Sequence, residues 1–202
     1  MDTQEKQELI KVRAEVAHQV LRALTLSSDD KDLPGKMFLD EKLFRIWNEC
    51  ESMIAQDATS AYQYAYMAKY HKIAHRFLAG EAAIAEDGAL ALKYADAILE
   101  APFPRGEREI FKDAERAYEY ARKFDYHLPP EAEREIAKDA YYAYLYAKYH
   151  LKGPFQAGEA TIAADPDLNE AYQTDVVQPA LEKDNDGLGF SDEKPASGGL
   201  SP

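Results

Sequence analysis

The sequence predicts an all-α fold, tandem two-helix repeats forming a short α-solenoid behind an N-terminal helical cap, and three observations predict it. A Glu-x-x-Ile-x-x-Asp element recurs at 51–57, 81–87, 107–113, 133–139 and 159–165. An Ala-Tyr-x-Tyr-Ala element follows it at 61–65, 117–121 and 143–147, as Ala-Leu-Lys-Tyr-Ala at 91–95 and in decayed form at 171–175. The starts 51, 81, 107, 133 and 159 are spaced by 30 residues once and by 26 thereafter. A fixed period in this range marks stacked supersecondary units, none of which buries its apolar face alone.

The N-terminal cap is assigned to 1–50, the five-unit repeat domain to 51–181 and an acidic disordered tail to 182–202. Leu9, Val12, Val16, Val20 and Leu24 follow one another at three- and four-residue steps, the stripe of an amphipathic helix. That helix is expected to cover the open end of the stack, the alternative being an arm that pairs with another subunit. Residues 27–35 are turn-forming throughout and read as a loop. A longer helix then starts near Asp40 and merges into the first unit, with Leu43, Trp47, Cys50 and Ile54 on one side.

Within each unit, the recurring Asp has the side chain that accepts hydrogen bonds from the open N–H groups of a helix start, so the second helix begins there. In the last unit Pro166 follows Asp165, and proline is favoured at the first helical position. The first helix runs through Glu-x-x-Ile, after Pro104, Pro129-Pro130 or Gly153-Pro154 has ended what came before. Trp47, Phe77, Phe103 and Phe155 precede their Glu residues by four and are expected to seal the joints between units. The four extra residues of the first interval are about one helical turn.

At about 100° per residue the two alanines of Ala-Tyr-x-Tyr-Ala form a ridge, with the tyrosines as walls on either side. Helical stripes of this kind are ordinarily packing. The second tyrosine, however, at Tyr64, Tyr94, Tyr120 and Tyr146, is never aliphatic, whereas the first admits Leu92. That row is the candidate for a water-facing interaction surface.

A net charge of −13 argues against direct binding to a nucleic-acid backbone or an anionic membrane and in favour of a partner with a basic surface. Cys50 is the only cysteine, which excludes an internal disulfide and a cysteine zinc site and suits a reducing compartment. The polar, acidic N-terminus does not resemble a secretory signal, and no run approaches a membrane span. The expected location is the cytoplasm.

No residue is assigned a catalytic, cofactor or metal role. Residues 182–193 match the calcium-loop pattern at its positions 3, 5, 6 and 12, but Glu182 and Gly189 depart from it and 194–199 cannot form the exit helix. They are read as flexible acidic tail. His71 and His75 lie one helical turn apart, with Lys72 where a zinc protease has its glutamate and no evident third ligand. The repeating Glu51, Glu81, Glu107, Glu133 and Glu159 point to a structural cause, because a catalytic carboxylate pair needs two unlike environments.

The unit at 133–148, followed by Gly153-Pro154-Phe155, resembles tandem helical repeats of proteins from large tailed bacteriophages, whose units read Glu-x-x-Ile-Ala-x-Asp-Pro-x-x-Ala-Tyr-x-Tyr-Ala. The resemblance covers about 47–175 and departs at Phe111 and in the last unit. It implies a phage origin and transfers no activity and no functional residue. The expectation is therefore a non-enzymatic protein acting by protein–protein contact, with a host or phage protein as partner and modulation of a host or defence protein as its role. The alternatives are a DNA mimic with carboxylates at phosphate spacing, a virion or assembly component, and a small-molecule sponge.

Overall fold

A computed structural model describes residues 4–12, 14, 17, 41–70 and 76–187, and the described residues are helical with no strand. The helices are α1 (Glu41–Ile54), α2 (Ala58–Tyr70), α3 (Glu81–Ile84), α4 (Gly88–Tyr94), α5 (Glu107–Ile110), α6 (Ala114–Phe124), α7 (Pro130–Ile136), α8 (Ala140–Leu145), α9 (Glu159–Ala163), α10 (Pro166–Tyr172) and α11 (Gln178–Gly187). None is long and apolar enough to cross a membrane.

The predicted aspartate caps are present in every unit. Asp87, Asp139 and Asp165 each accept hydrogen bonds from two backbone N–H groups of the following turn, and Asp57 and Asp113 each accept one. Each holds the first turn of α2, α4, α6, α8 or α10. The second helices α2, α4, α6, α8 and α10 pack side by side as one layer. The first helices α3, α5, α7 and α9 each lie against the second helix of the unit before, and α3, α5 and α9 also meet the second helix of their own unit, so these three bridge the two. The core runs between the layers through the isoleucines of Glu-x-x-Ile, with Ile54, Ile84, Ile110, Ile136 and Ile162 all fully buried.

Among the described residues, three second helices relax into a π-turn at their C-terminal ends, over Ala95–Leu99, Tyr146–Leu151 and Gln173–Val177. In α6 the α-helix continues to Phe124 instead. A π-turn holds one residue more than an α-turn over the same span. The left-handed residue that ends the helix accordingly falls at Glu100 and Lys152, 13 residues after the aspartate cap, but at Asp125, 12 after it, in the third unit.

The predicted joint aromatics behave as seals. Phe77, Phe103 and Phe155 are buried, and their rings meet Tyr64, Tyr94 and Tyr146 of the preceding unit at 4.7, 5.1 and 5.2 Å between centroids. The Trp47 side chain lies outside the described residues. A glycine three residues on makes room for each phenylalanine. A Cβ on Gly158 would stand 2.7 Å from Phe155 Cδ1 and 2.8 Å from the Ala143 Cβ, and Gly106 faces Phe103 and Ala91 in the same way. In the fourth unit proline replaces the phenylalanine, at Pro129, and Ala132 takes the glycine's place, fully buried.

At the N-terminus the expected stripe is corrected. Leu9 and Val12 are exposed, while Ala14 and Ala17 are buried and Ala17 belongs to the core cluster. Among the described residues of this segment, the buried ones are these two alanines. Val16, Val20, Leu24 and the 27–35 loop lie outside the described residues. At the other end, α11 continues to Gly187, past the boundary set at 181 between repeat and tail. The helix formers Ala180, Leu181, Glu182 and Lys183 support it.

The glycine contacts predict that Gly158→Ala lowers stability by about 1–3 kcal/mol, the usual cost of forcing a methyl group into a filled site. Urea denaturation measures it. Ala132→Gly, which empties a filled site and adds the helix cost of glycine, should also destabilise, by about 1–2 kcal/mol.

Candidate functional site

The second-tyrosine row is not a water-facing surface, and that expectation is corrected. Tyr64, Tyr94, Tyr120 and Tyr146 are 2, 0, 0 and 1% exposed. Each donates its hydroxyl proton to the glutamate 13 residues earlier: Tyr64 to Glu51 at 2.5 Å, Tyr94 to Glu81 at 3.0 Å, Tyr120 to Glu107 at 2.8 Å and Tyr146 to Glu133 at 3.0 Å. Tyr172 does the same to Glu159 at 3.3 Å. The last unit is therefore less decayed than its sequence suggests. Tyr172 stands in the second-tyrosine place, and Asn169 and Gln173 replace the flanking alanines.

The hydroxyl oxygens of Tyr94, Tyr120 and Tyr172 also accept from the backbone N–H of Phe77, Phe103 and Phe155, at 3.3, 2.7 and 2.9 Å. One phenol thus ties the start of the first helix and the segment before it to the second helix. Tyr146 has no such donor, because its partner position is Pro129. Burial is the main cause that holds the hydroxyls of Tyr94, Tyr120 and Tyr146 well above the ordinary tyrosine range, and the adjoining glutamates add to it.

What differs between units lies around this shared core. In the second unit, Arg76 grips buried Glu81 with a two-pronged pair, Nε to Oε1 and Nη2 to Oε2 at 2.9 Å. In the third unit no cation meets Glu107 among the described residues, and the hydroxyl of Tyr126 donates to its Oε2 at 3.1 Å. Tyr126 reaches it because α6 ends one residue early. Its ring sits 5.2 Å from Tyr120, edge-on, the place that a joint phenylalanine fills in other units. Phe111 stands where the other units have Ala55, Ala85, Ala137 and Ala163, and packs edge-on to Tyr120 at 5.4 Å. Between α5 and α7 these changes border a cleft of about 600 Å³. Pro104, Phe111, Tyr126 and Pro129 form its walls, with Glu107, Arg108, Lys112, His127, Glu131 and Glu135 around them.

The layer of second helices carries a different irregularity. Ion pairs cross three of its four joints: Lys69 to Glu100 at 2.5 Å, Asp96 to Lys123 at 2.6 Å and Lys148 to Asp175 at 2.7 Å. Lys69 additionally donates to the carbonyls of Ala97 and Ile98. At the joint between the third and fourth units, the positions equivalent to Asp96 and Lys123 are Arg122 and Tyr149. Arg122 has no ion-pair partner among the described residues. Tyr149 is 53% and Tyr141 52% exposed. Tyr141 touches Tyr142 at 5.4 Å, Tyr142 touches buried Tyr118 at 6.0 Å, and Lys148 lies 5.2 Å over the Tyr149 ring. The Tyr142 hydroxyl is pushed up to about 12, by burial first and then by the Glu115 carboxylate.

Helical spacing alone did not locate these tyrosines, because they occupy non-repeating positions. The offset of 26 residues from Lys123 to Tyr149 was the available signal. No group of three or more metal-binding side chains occurs among the described residues. His71 and His75 lie outside them, and 182–187 of the calcium-like stretch are helical, not looped. No family model, curated protein or solved structure matches this chain.

Tyr120→Phe removes a buried hydroxyl that serves a carboxylate and a backbone N–H, and should cost about 1–3 kcal/mol. Tyr146→Phe strands only the carboxylate, so its urea midpoint should fall less. Ionisation gives a second readout. An unfolded tyrosine titrates near pH 10 and the buried ones titrate higher, so above that pH the folded chain holds more protons than the unfolded one. Stability is then fully present below about pH 10 and lost as pH rises beyond it. The loss between about pH 8 and about pH 11 should be smaller in Tyr120→Phe than in the parent chain.

Proposed function

We propose that this chain is a non-enzymatic helical-repeat protein that works by holding another protein, through the aromatic patch at the joint between its third and fourth units. The observation that carries this reading is Tyr149, an exposed ring placed where the neighbouring joints have ion-paired charges, beside exposed Tyr141 and an Arg122 with no ion-pair partner among the described residues. Tyrosine and arginine are the residue types that most often anchor protein interfaces. The patch lies on a layer whose repeated residues are all engaged in packing, so its rings are available for recognition.

The net charge of −13 favours a partner with a basic surface. The resemblance of the units to tailed-phage repeats makes a host protein, a defence factor included, the proposed partner, met in the cytoplasm. DNA mimicry has less support. Surface carboxylates of Asp96, Glu100, Glu109, Glu135 and Asp175 are each paired with a lysine, which intersperses positive charge among them.

Capture from host lysate with tagged protein, washed at low and at high salt, tests the reading when run beside the double variant Tyr141→Ser/Tyr149→Ser. The expected result is one protein retained through high salt by the parent chain and lost by the variant, with urea midpoints that agree within about 0.5 kcal/mol, as for surface substitutions generally. Equal retention by the variant would sink the patch. A set of nucleic-acid-binding proteins released at high salt would favour mimicry.

A further inference from the structure

The cleft between α5 and α7 carries an inference that rests on the protein-binding reading and deepens it. We propose that this cleft receives an arginine side chain from the protein partner, with the guanidinium lying against Phe111 and Tyr126 and its N–H groups directed at Glu107 and Glu131.

Charge at the cleft is the first argument. The two bases that line it, Arg108 and Lys112, are both bonded to Glu109, at 3.1 and 2.6 Å. Glu135 is bonded by Lys138 at 2.6 Å. His127 is exposed at the rim. Glu107 and Glu131 are left with no cation partner among the described residues. A carboxylate offers about four acceptor sites, and Glu107 accepts from two tyrosine hydroxyls.

The second argument is internal to the chain. Glu81, the same residue one unit earlier, takes the forked guanidinium of Arg76, so a glutamate at this place in the repeat suits a guanidinium. Flat aromatic and proline walls suit that cation better than an ammonium, since guanidinium is planar, weakly hydrated and stacks on rings. The cleft volume of about 600 Å³ admits the side chain with part of its backbone. A second copy of this chain is disfavoured as the donor by its own charge of −13.

The test is an NMR titration of the full chain with the capped peptide acetyl-Gly-Arg-Gly-amide, beside its lysine and citrulline counterparts, all at one pH. Citrulline keeps the shape of arginine without the charge. The expected result is saturable shifts of the Glu107, Phe111 and Tyr126 amides, with citrulline binding at least about tenfold more weakly and lysine intermediate. Glu131→Gln, at an exposed position, should weaken the arginine peptide by about tenfold without loss of stability; Phe111→Ala, which removes a mostly buried ring at a cost of about 3–5 kcal/mol, should weaken it as well and is read only where its amide spectrum shows it folded. No saturable shift, an equal response to citrulline, or undiminished binding by folded Phe111→Ala would overturn the proposal. The peptide reports on the cleft alone. Its failure beside a successful capture would leave the aromatic patch as the interface, and the reverse pair of results would leave the cleft without that patch.

Discussion

The structure depends on one hydrogen bond made five times, from a buried tyrosine hydroxyl to the carboxylate 13 residues before it. Apolar contact alone would hold the two helices of a unit together at many rotations and offsets. A phenol and a carboxylate that are both withdrawn from water lose more if they fail to meet than they gain by meeting. That asymmetry selects one register, and repeating it unit after unit makes the register of the stack the sum of five local decisions. In three units the same oxygen also accepts the N–H of the joint phenylalanine. Since that phenylalanine's ring lies on the preceding unit's tyrosine, each clamp fixes the next unit's position as well as its own geometry.

Close approach is the second constraint, and it couples residues that are not neighbours in sequence. A phenylalanine at the joint needs a glycine three residues on and an alanine in the preceding second helix, because all three occupy one small space. Where Pro129 removes the ring, Ala132 fills the volume that glycine leaves elsewhere, and Tyr126 supplies the ring to Tyr120 from another direction. The fourth unit thus reaches equivalent packing by exchanging three residues together.

The aspartate caps and the isoleucine positions were legible in the sequence because each is a local rule written in all five units, and the aromatic joints because theirs is written in four. The burial of the tyrosine row was not. Helical spacing says that the two tyrosines flank an alanine ridge, but the side that is covered depends on where the preceding unit lies, and the carboxylate that keeps the second tyrosine polar is 13 residues away across a turn. For the same reason a tyrosine that is never aliphatic signals a need for its hydroxyl, which a buried acceptor meets as well as water does. The N-terminal helix misled in another way. Leu9 and Val12 are the larger apolar residues, yet of the described residues it is Ala14 and Ala17 that are buried. The register of the last unit was hidden because its alanines are gone while Tyr172 remains.

The departures from regularity collect at one joint, and a single geometric change links several of them. A second helix without a π-turn is one residue shorter, and the following loop is one residue longer, so the 26-residue period survives. The extra loop residue carries Tyr126 onto Glu107, a position that Arg76 meets in the previous unit with a charge. Once Tyr126 occupies the ring site on Tyr120, a joint phenylalanine at 129 is no longer needed there and a proline is tolerated. On the opposite layer the same joint lacks the crossing ion pair and presents Tyr149 instead. Exposed ion pairs contribute little to stability, about 0–1 kcal/mol each, so the stack tolerates that loss while its five clamps are intact. A repeat protein of this kind is most able to vary for recognition at a joint where packing has already been satisfied by other means.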